Sequence, residues 1–205
     1  MTKSGMQIRK AVNLDRPLRR DLALYALVAG AAGVSVLALS EPAGAQIVYT
    51  PAHRVLDRDG VIGIDLNHDG ITDVVIRESP WVRFSGGNSL AAVPVAGGGI
   101  QEGSYGWAAA LWPGSKIGPQ NRFTSKADAM VLLSKFGAYH YASWAPDATA
   151  RYLGITFLIS GEAHYGWARL TTRIDFQTKH LGAILTGYAY ETQPGHTHPG
   201  GGNGK

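Results

Sequence analysis

Nine consecutive residues, Asp65-Leu66-Asn67-His68-Asp69-Gly70-Ile71-Thr72-Asp73, set oxygen-bearing side chains at loop positions 1, 3, 5 and 9 and a glycine at position 6. This is the ligand rhythm of a calcium loop: a hard cation takes many oxygens, and glycine permits the sharp turn that aims them at one point. The flanks, Val61-Ile62-Gly63-Ile64 and Val74-Val75-Ile76, are β-branched and too short for helices, so they predict a strand–loop–strand unit. Asp65, Asn67, Asp69 and Asp73 would offer side-chain oxygens, and Ile71 its backbone carbonyl. Ile76 stands where a helix-flanked loop carries its bidentate glutamate, which predicts weak binding, with Kd ~10⁻⁴–10⁻³ M. Without metal, Asn67–Gly70 spells an ordinary Asp-Gly turn. Against that, three carboxylates within one short loop repel each other unless a cation lies among them. Asp57 and Asp59, a few residues upstream, are expected in a solvated turn.

The first 45 residues predict an export signal. Lys3, Arg9, Lys10, Arg16, Arg19 and Arg20 precede an apolar run from Leu22 to Leu39. Glu41-Pro42-Ala43-Gly44-Ala45 then breaks the run and ends in small residues, so cleavage is expected after Ala45. The alternative is an uncleaved anchor, since the run reaches the lower limit for spanning a bilayer. After cleavage no membrane association is expected, and the protein is expected to be secreted or periplasmic. The whole chain has 19 basic and 15 acidic residues; the leader holds six basic and three acidic ones, so the remainder is nearly neutral at net +1. That removes the basic patch nucleic-acid binding requires.

The chain contains no cysteine. Disulfides, thiol catalysis and cysteine zinc sites are therefore excluded, and stability must come from packing, sheet pairing and metal. Short apolar runs recur between glycine, proline and asparagine signals, which predicts an all-β, antiparallel, jelly-roll-like sandwich over 46–193. Gln46–Tyr49, Val61–Ile64, Thr72–Ile76 and Trp81–Phe84 are expected strands. Arg151–Ile159, His164–Ile174 and Ala183–Glu191 predict a three-stranded meander. In its middle strand Tyr165, Trp167, Arg169 and Thr171 face one way and Gly166, Ala168 and Leu170 the other. Ser125–Phe136, with Ser125 and Asp128 at capping-box spacing and Gly137 as a stop, predicts one short surface helix; an apolar strand through Ala129–Leu133 is the alternative. The Gly/Pro/His-rich tail, 194–205, is expected to be disordered.

The leader, the Asp65–Asp73 loop between strands, His164-Tyr165-Gly166-Trp167-Ala168-Arg169 and Gly187-Tyr188-Ala189-Tyr190-Glu191-Thr192 together resemble secreted bacterial proteins of the PEP-CTERM, exosortase-sorted type. The sequence shows no Pro-Glu-Pro signal with an apolar helix and basic cap, so release rather than anchoring is expected. The loop by itself is similar to those of dockerins and FG-GAP repeats. The resemblance implies an exported domain, many relatives of which have no known activity.

Two further functions are weighed against a structural or adhesive role. Trp81, Trp107, Trp112 and Trp144 would bind extracellular glycans if they lined one solvent-facing surface, although such rings more often fill a core. Tyr139, Tyr141 and Trp167 are further aromatic candidates. A hydrolase would need two carboxylates across a cleft, and no spacing pairs Glu78, Glu102, Glu162 or Glu191. His140, His164 and His180 are scattered, with no nucleophile elbow beside them. His196 and His198 sit on the tail. Tyr105-Gly106-Trp107-Ala108 recurs as Tyr165-Gly166-Trp167-Ala168, which two strands with similar roles in facing sheets would explain and so would chance; the surroundings do not match well enough to claim a duplication. The expectation is therefore a non-enzymatic, calcium-stabilised domain whose partners are glycans or cell-surface components.

Overall fold

The computed structural model describes residues 46–80, 86–95, 97–136, 143–144 and 148–200, all within the compact unit Ala43–Lys205. The expected leader, the Trp81–Phe84 strand, Trp81 itself, Tyr139, Tyr141 and His140 lie outside the described residues. The strands in chain order are β1 (Ile47–Leu56), β2 (Val61–Ile64), β3 (Val74–Pro80), β4 (Gly87–Pro94), β5 (Gly99–Gln101), β6 (Lys116–Ile117), β7 (Phe123–Thr124), β8 (Asp128–Ser134), β9 (Arg151–Ile159), β10 (Glu162–Asp175), β11 (His180–Glu191) and β12 (His198–Pro199). A six-stranded antiparallel sheet has the order β1-β11-β10-β9-β5-β7, and a four-stranded one the order β2-β3-β4-β8. The protein is an all-β, antiparallel, two-sheet sandwich.

The alternation along the meander governs where the core lies. Ala168 and Leu170 of β10 join Leu153 and Ile155 of β9 and Ala183 and Leu185 of β11. Ile62, Ile64, Val74, Ile76, Leu90 and Val131 of the other sheet meet them. Apolar residues on alternate positions of a strand share one face, so this side of each sheet must be covered. The opposite face of the six-stranded sheet carries a second, aromatic cluster. Trp167 is fully buried there, with Tyr152 edge-on at 5.0 Å and Tyr49 at 5.8 Å, and Ile117 of β6 packs into the same group.

Strand β1 closes the six-stranded sheet against β11 with Ile47 opposite Glu191 and Thr50 opposite Tyr188. The register shifts between Pro51 and Arg54, where proline cannot donate to the ladder. The two sheets are also tied by polar contacts. The buried Glu78 of β3 accepts from Leu181 N–H at 2.9 Å and pairs with His180 Nδ1 at 3.2 Å, both on β11.

Two expectations are corrected. Residues 125–136 form no helix: Asp128–Ser134 is β8, paired with β4 so that Leu90 faces Val131 and Ala92 faces Asp128. The run Met130-Val131-Leu132-Leu133 is wholly buried, and a helix there would leave one edge of β4 unpaired. The tail is not free from Pro194 onward. His198 and Pro199 pair with Ile117 and Lys116, Gly195 N–H donates to Ala163 C=O at 3.0 Å, and Gly200 N–H donates to Ser115 C=O at 2.7 Å. The repeat that the sequence leaves open resolves into two different local structures: Tyr165–Ala168 lies in β10, whereas Ser104–Gly106 is a 3-10 turn with Tyr105 at φ 70°.

At Gly166 the neighbouring strand and the Leu66 side chain leave no room for a side chain. A Cβ there would lie 2.5 Å from Ala189 O and 2.7 Å from Leu66 Cδ2. Backbone cannot yield cheaply, so Gly166→Ala is expected to lower stability by about 1–3 kcal/mol. Urea unfolding of both proteins checks this; an unchanged midpoint would remove the close contact.

Candidate functional site: the Asp65–Asp73 loop

The loop joins β2 to β3 and is closed at its base by Asp73 N–H donating to Ile64 C=O at 2.8 Å. Gly70 takes φ 88° and His68 φ 62°, so the turn requires glycine where the spacing placed it. Four internal hydrogen bonds shape it. Asp65 Oδ2 accepts from Gly70 N–H at 2.9 Å, and Asp73 Oδ2 from Leu66 N–H at 2.7 Å. Asp69 accepts from Ile71 N–H at 2.8 Å and from Asn67 Nδ2 at 2.9 Å.

Two oxygens remain without partners. Asp65 Oδ1 and Asn67 Oδ1 are buried and accept no hydrogen bond. An orphaned buried oxygen costs free energy, and two at alternate positions of one loop call for a donor or a cation. Electrostatics point the same way. Burial pushes Asp73 up to about 6, with Asp65 and Asp69 adding to the rise and the Leu66 N–H opposing it. Asp69 is held below the usual carboxylate range, first by Asn67 and then by the Ile71 N–H.

All five sequence-predicted positions thus fall in one loop. The donors are hard oxygens, which suit calcium and not a thiophilic metal. Among the described residues no three His, Asp or Glu side chains close on one point as a ligand set. The geometric reason is visible: Asp69 is turned toward Asn67 and Ile71, and Asp73 toward Leu66. A cation at the orphaned oxygens would draw on Asp65 and Asn67.

The loop also reaches the other sheet. Leu66 is fully buried against Gly166 of β10. His68 Nε2 and Thr50 Oγ1 of β1 share a hydrogen bond of 2.8 Å, and the imidazole lies 5.8 Å from the Tyr188 ring of β11. Burial raises the Tyr188 hydroxyl, a hydrogen bond with Thr50 opposes the rise, and the Asp65 charge adds to it. Nothing in the sequence joins Thr50 and Tyr188 to His68; these contacts lie outside the candidate ligand set.

The tryptophans among the described residues differ in exposure. Trp144 is wholly buried, its Nε1–H donating to Ala108 C=O at 3.1 Å, so it cannot line a solvent-facing platform. Trp107 is half-buried. Trp112 is 66% exposed, with the Arg151 guanidinium stacked over its ring, and Tyr105 is 88% exposed.

Two acids do come together. Burial, and next the Glu102 charge, push Asp128 up to about 6; Asp128 Oδ2 has no hydrogen-bond partner, and Glu102 pairs with Arg122 at 3.3 Å. They do not border the cleft of about 220 Å³ at the β1–β11 end, which Leu56, Asp57, Arg58, Arg173, Asp175 and His180 help to line. In that cleft Asp175 is held below the ordinary range by Thr178 and Gln177, the wrong direction for a general acid. His164 is spent on Glu191 C=O at 2.9 Å.

Comparison with protein-family models, curated proteins and solved structures finds no match to this chain. Among the described residues no helix is long and apolar enough to cross a membrane.

The raised Asp73 predicts a pH effect of definite sign. An unfolded aspartate titrates near 3.9, so between that pH and about 6 the folded state binds more protons than the unfolded state. Metal-free protein should therefore lose stability as pH rises from 4 to 6. Asp128 contributes in the same sense, so the diagnostic quantity is the difference from Asp73→Asn, which keeps an acceptor for Leu66 but cannot ionise. Chemical denaturation across that range, with chelator present, should show a shallower decline in the variant. Parallel curves would show that Asp73 is not raised.

Proposed function

We propose that this protein is a non-enzymatic β-sandwich of the cell exterior, stabilised by a calcium ion in the Asp65–Asp73 loop, with a structural or adhesive role. The single observation that carries the calcium reading is the pair of buried, unpartnered oxygens, Asp65 Oδ1 and Asn67 Oδ1. Asp65, Asn67, Asp69 and Asp73, with the Ile71 carbonyl, would hold the ion. Bound calcium supplies charge neutralisation among the three carboxylates and no reaction chemistry. A chain without cysteine gains most from such a clamp, because nothing covalent closes its loops. The signal-like leader supports export, where millimolar calcium matches the weak affinity expected of a loop lacking a bidentate glutamate.

Calcium at ten times Kd should stabilise the fold by about 1.4 kcal/mol, which for a domain of this size raises Tm by about 3–6 °C. The rise should be absent in chelator and in Asp69→Ala. Equal melting with calcium and with chelator in the unaltered protein would sink the reading.

A glycan-binding alternative rests on Trp112, which stays exposed while Arg151 stacks on its ring, as a sugar-stacking residue would be presented. On a glycan array the unaltered protein should then bind at least one class of sugar and Trp112→Ala should lose it. An array with no signal disposes of this alternative.

A further inference from the structure

We propose that the Asp65–Asp73 loop is a latch between the two sheets, through which occupancy by a cation governs how firmly β1 and β11 stay seated. The proposal rests on the calcium reading and adds what the ion would control. Covalently the loop belongs to the four-stranded sheet, since it joins β2 to β3. Its outward contacts nevertheless go to three strands of the other sheet: Leu66 to Gly166 of β10, His68 to Thr50 of β1, and His68 to Tyr188 of β11.

Thr50 and Tyr188 face each other across the β1–β11 ladder, so one imidazole staples both halves of a single rung. That rung lies immediately before the register shift at Pro51, and among the described residues β1 is an edge strand whose ladder partner is β11. An edge strand with an interrupted ladder is where a sheet opens first, so a staple at this rung has the largest effect.

The groups that would hold the ion also set the latch. Asp73 Oδ2 holds the Leu66 N–H at 2.7 Å, which fixes the residue inserted against Gly166, and the Asp65 charge acts on the Tyr188 hydroxyl. With no cation, mutual repulsion of the three carboxylates favours an opened loop. Opening withdraws Leu66 and His68 together. A cation that favours the closed loop therefore favours the seated edge by the same free energy, a reciprocal coupling.

Amide hydrogen exchange on the full chain, with saturating calcium and with chelator, tests this beside calorimetric titration of calcium. Calcium should slow exchange of β1 and β11 amides around Thr50 and Tyr188 by about tenfold or more, as well as that of the loop. Thr50→Val keeps a β-branched strand residue, and His68→Asn keeps a residue that tolerates positive φ. Both should bind calcium within about threefold of the unaltered protein and keep slowed exchange in the loop, yet lose it in β1. If the unaltered protein binds calcium but slows exchange only within 64–74, the latch is wrong and the calcium reading stands. The same holds if both variants keep full protection of β1. No calcium uptake by the unaltered protein would overturn both.

Discussion

Strand β10 carries Tyr165 and Trp167 on one face and Ala168 and Leu170 on the other, and all four are buried. The inner face is served by the four-stranded sheet, as in any sandwich. The outer face would leave Trp167, Tyr152, Tyr165 and Tyr49 wet unless something covered them. The β6 strand, Leu111 and Phe123 supply that cover, and the chain end pairs with β6 through His198 and Pro199. Much of the irregular chain between β5 and β8, and the fate of the tail, follow from the need to dry this second face.

The polar interior is organised by a different rule. Glu78 is buried yet fully engaged, accepting from Leu181 and facing His180. The Asp65–Asp73 loop contrasts with it, because two of its oxygens have no partner and one of its acids is driven upward by burial and by like charge. A folded chain tolerates a few such groups, and where they cluster the local structure is incomplete without something more. Asp128 beside Glu102 shares this character but lies away from the cleft at the β1–β11 end.

The sandwich and its meander were legible because alternation in β9, β10 and β11 is regular and bounded by turns. The loop was legible because ligand spacing and the glycine that shapes it are local properties. Strand β4 was not, since Gly-Asn-Ser-Leu-Ala-Ala-Val-Pro has weak strand preference and is held by partners on both sides. Residues 125–136 misled for the complementary reason: capping spacing and apolar content favour a helix locally, while pairing with β4 decides the outcome. Trp144 carries no mark separating a core tryptophan from an exposed one. Thr50 and Tyr188 could not be joined to the loop from sequence, because their nearness to His68 exists only once both sheets are assembled.

The pairing of Ile47 with Glu191 has a kinetic consequence. The first described strand of the sandwich finds its ladder partner in one of the last to be made, so nearly the whole domain must be present before this edge can form. Closing so long a stretch of chain is entropically costly and makes folding slow. During synthesis the early segments therefore lack their mate, and this edge of the sheet can complete only after β11 has emerged.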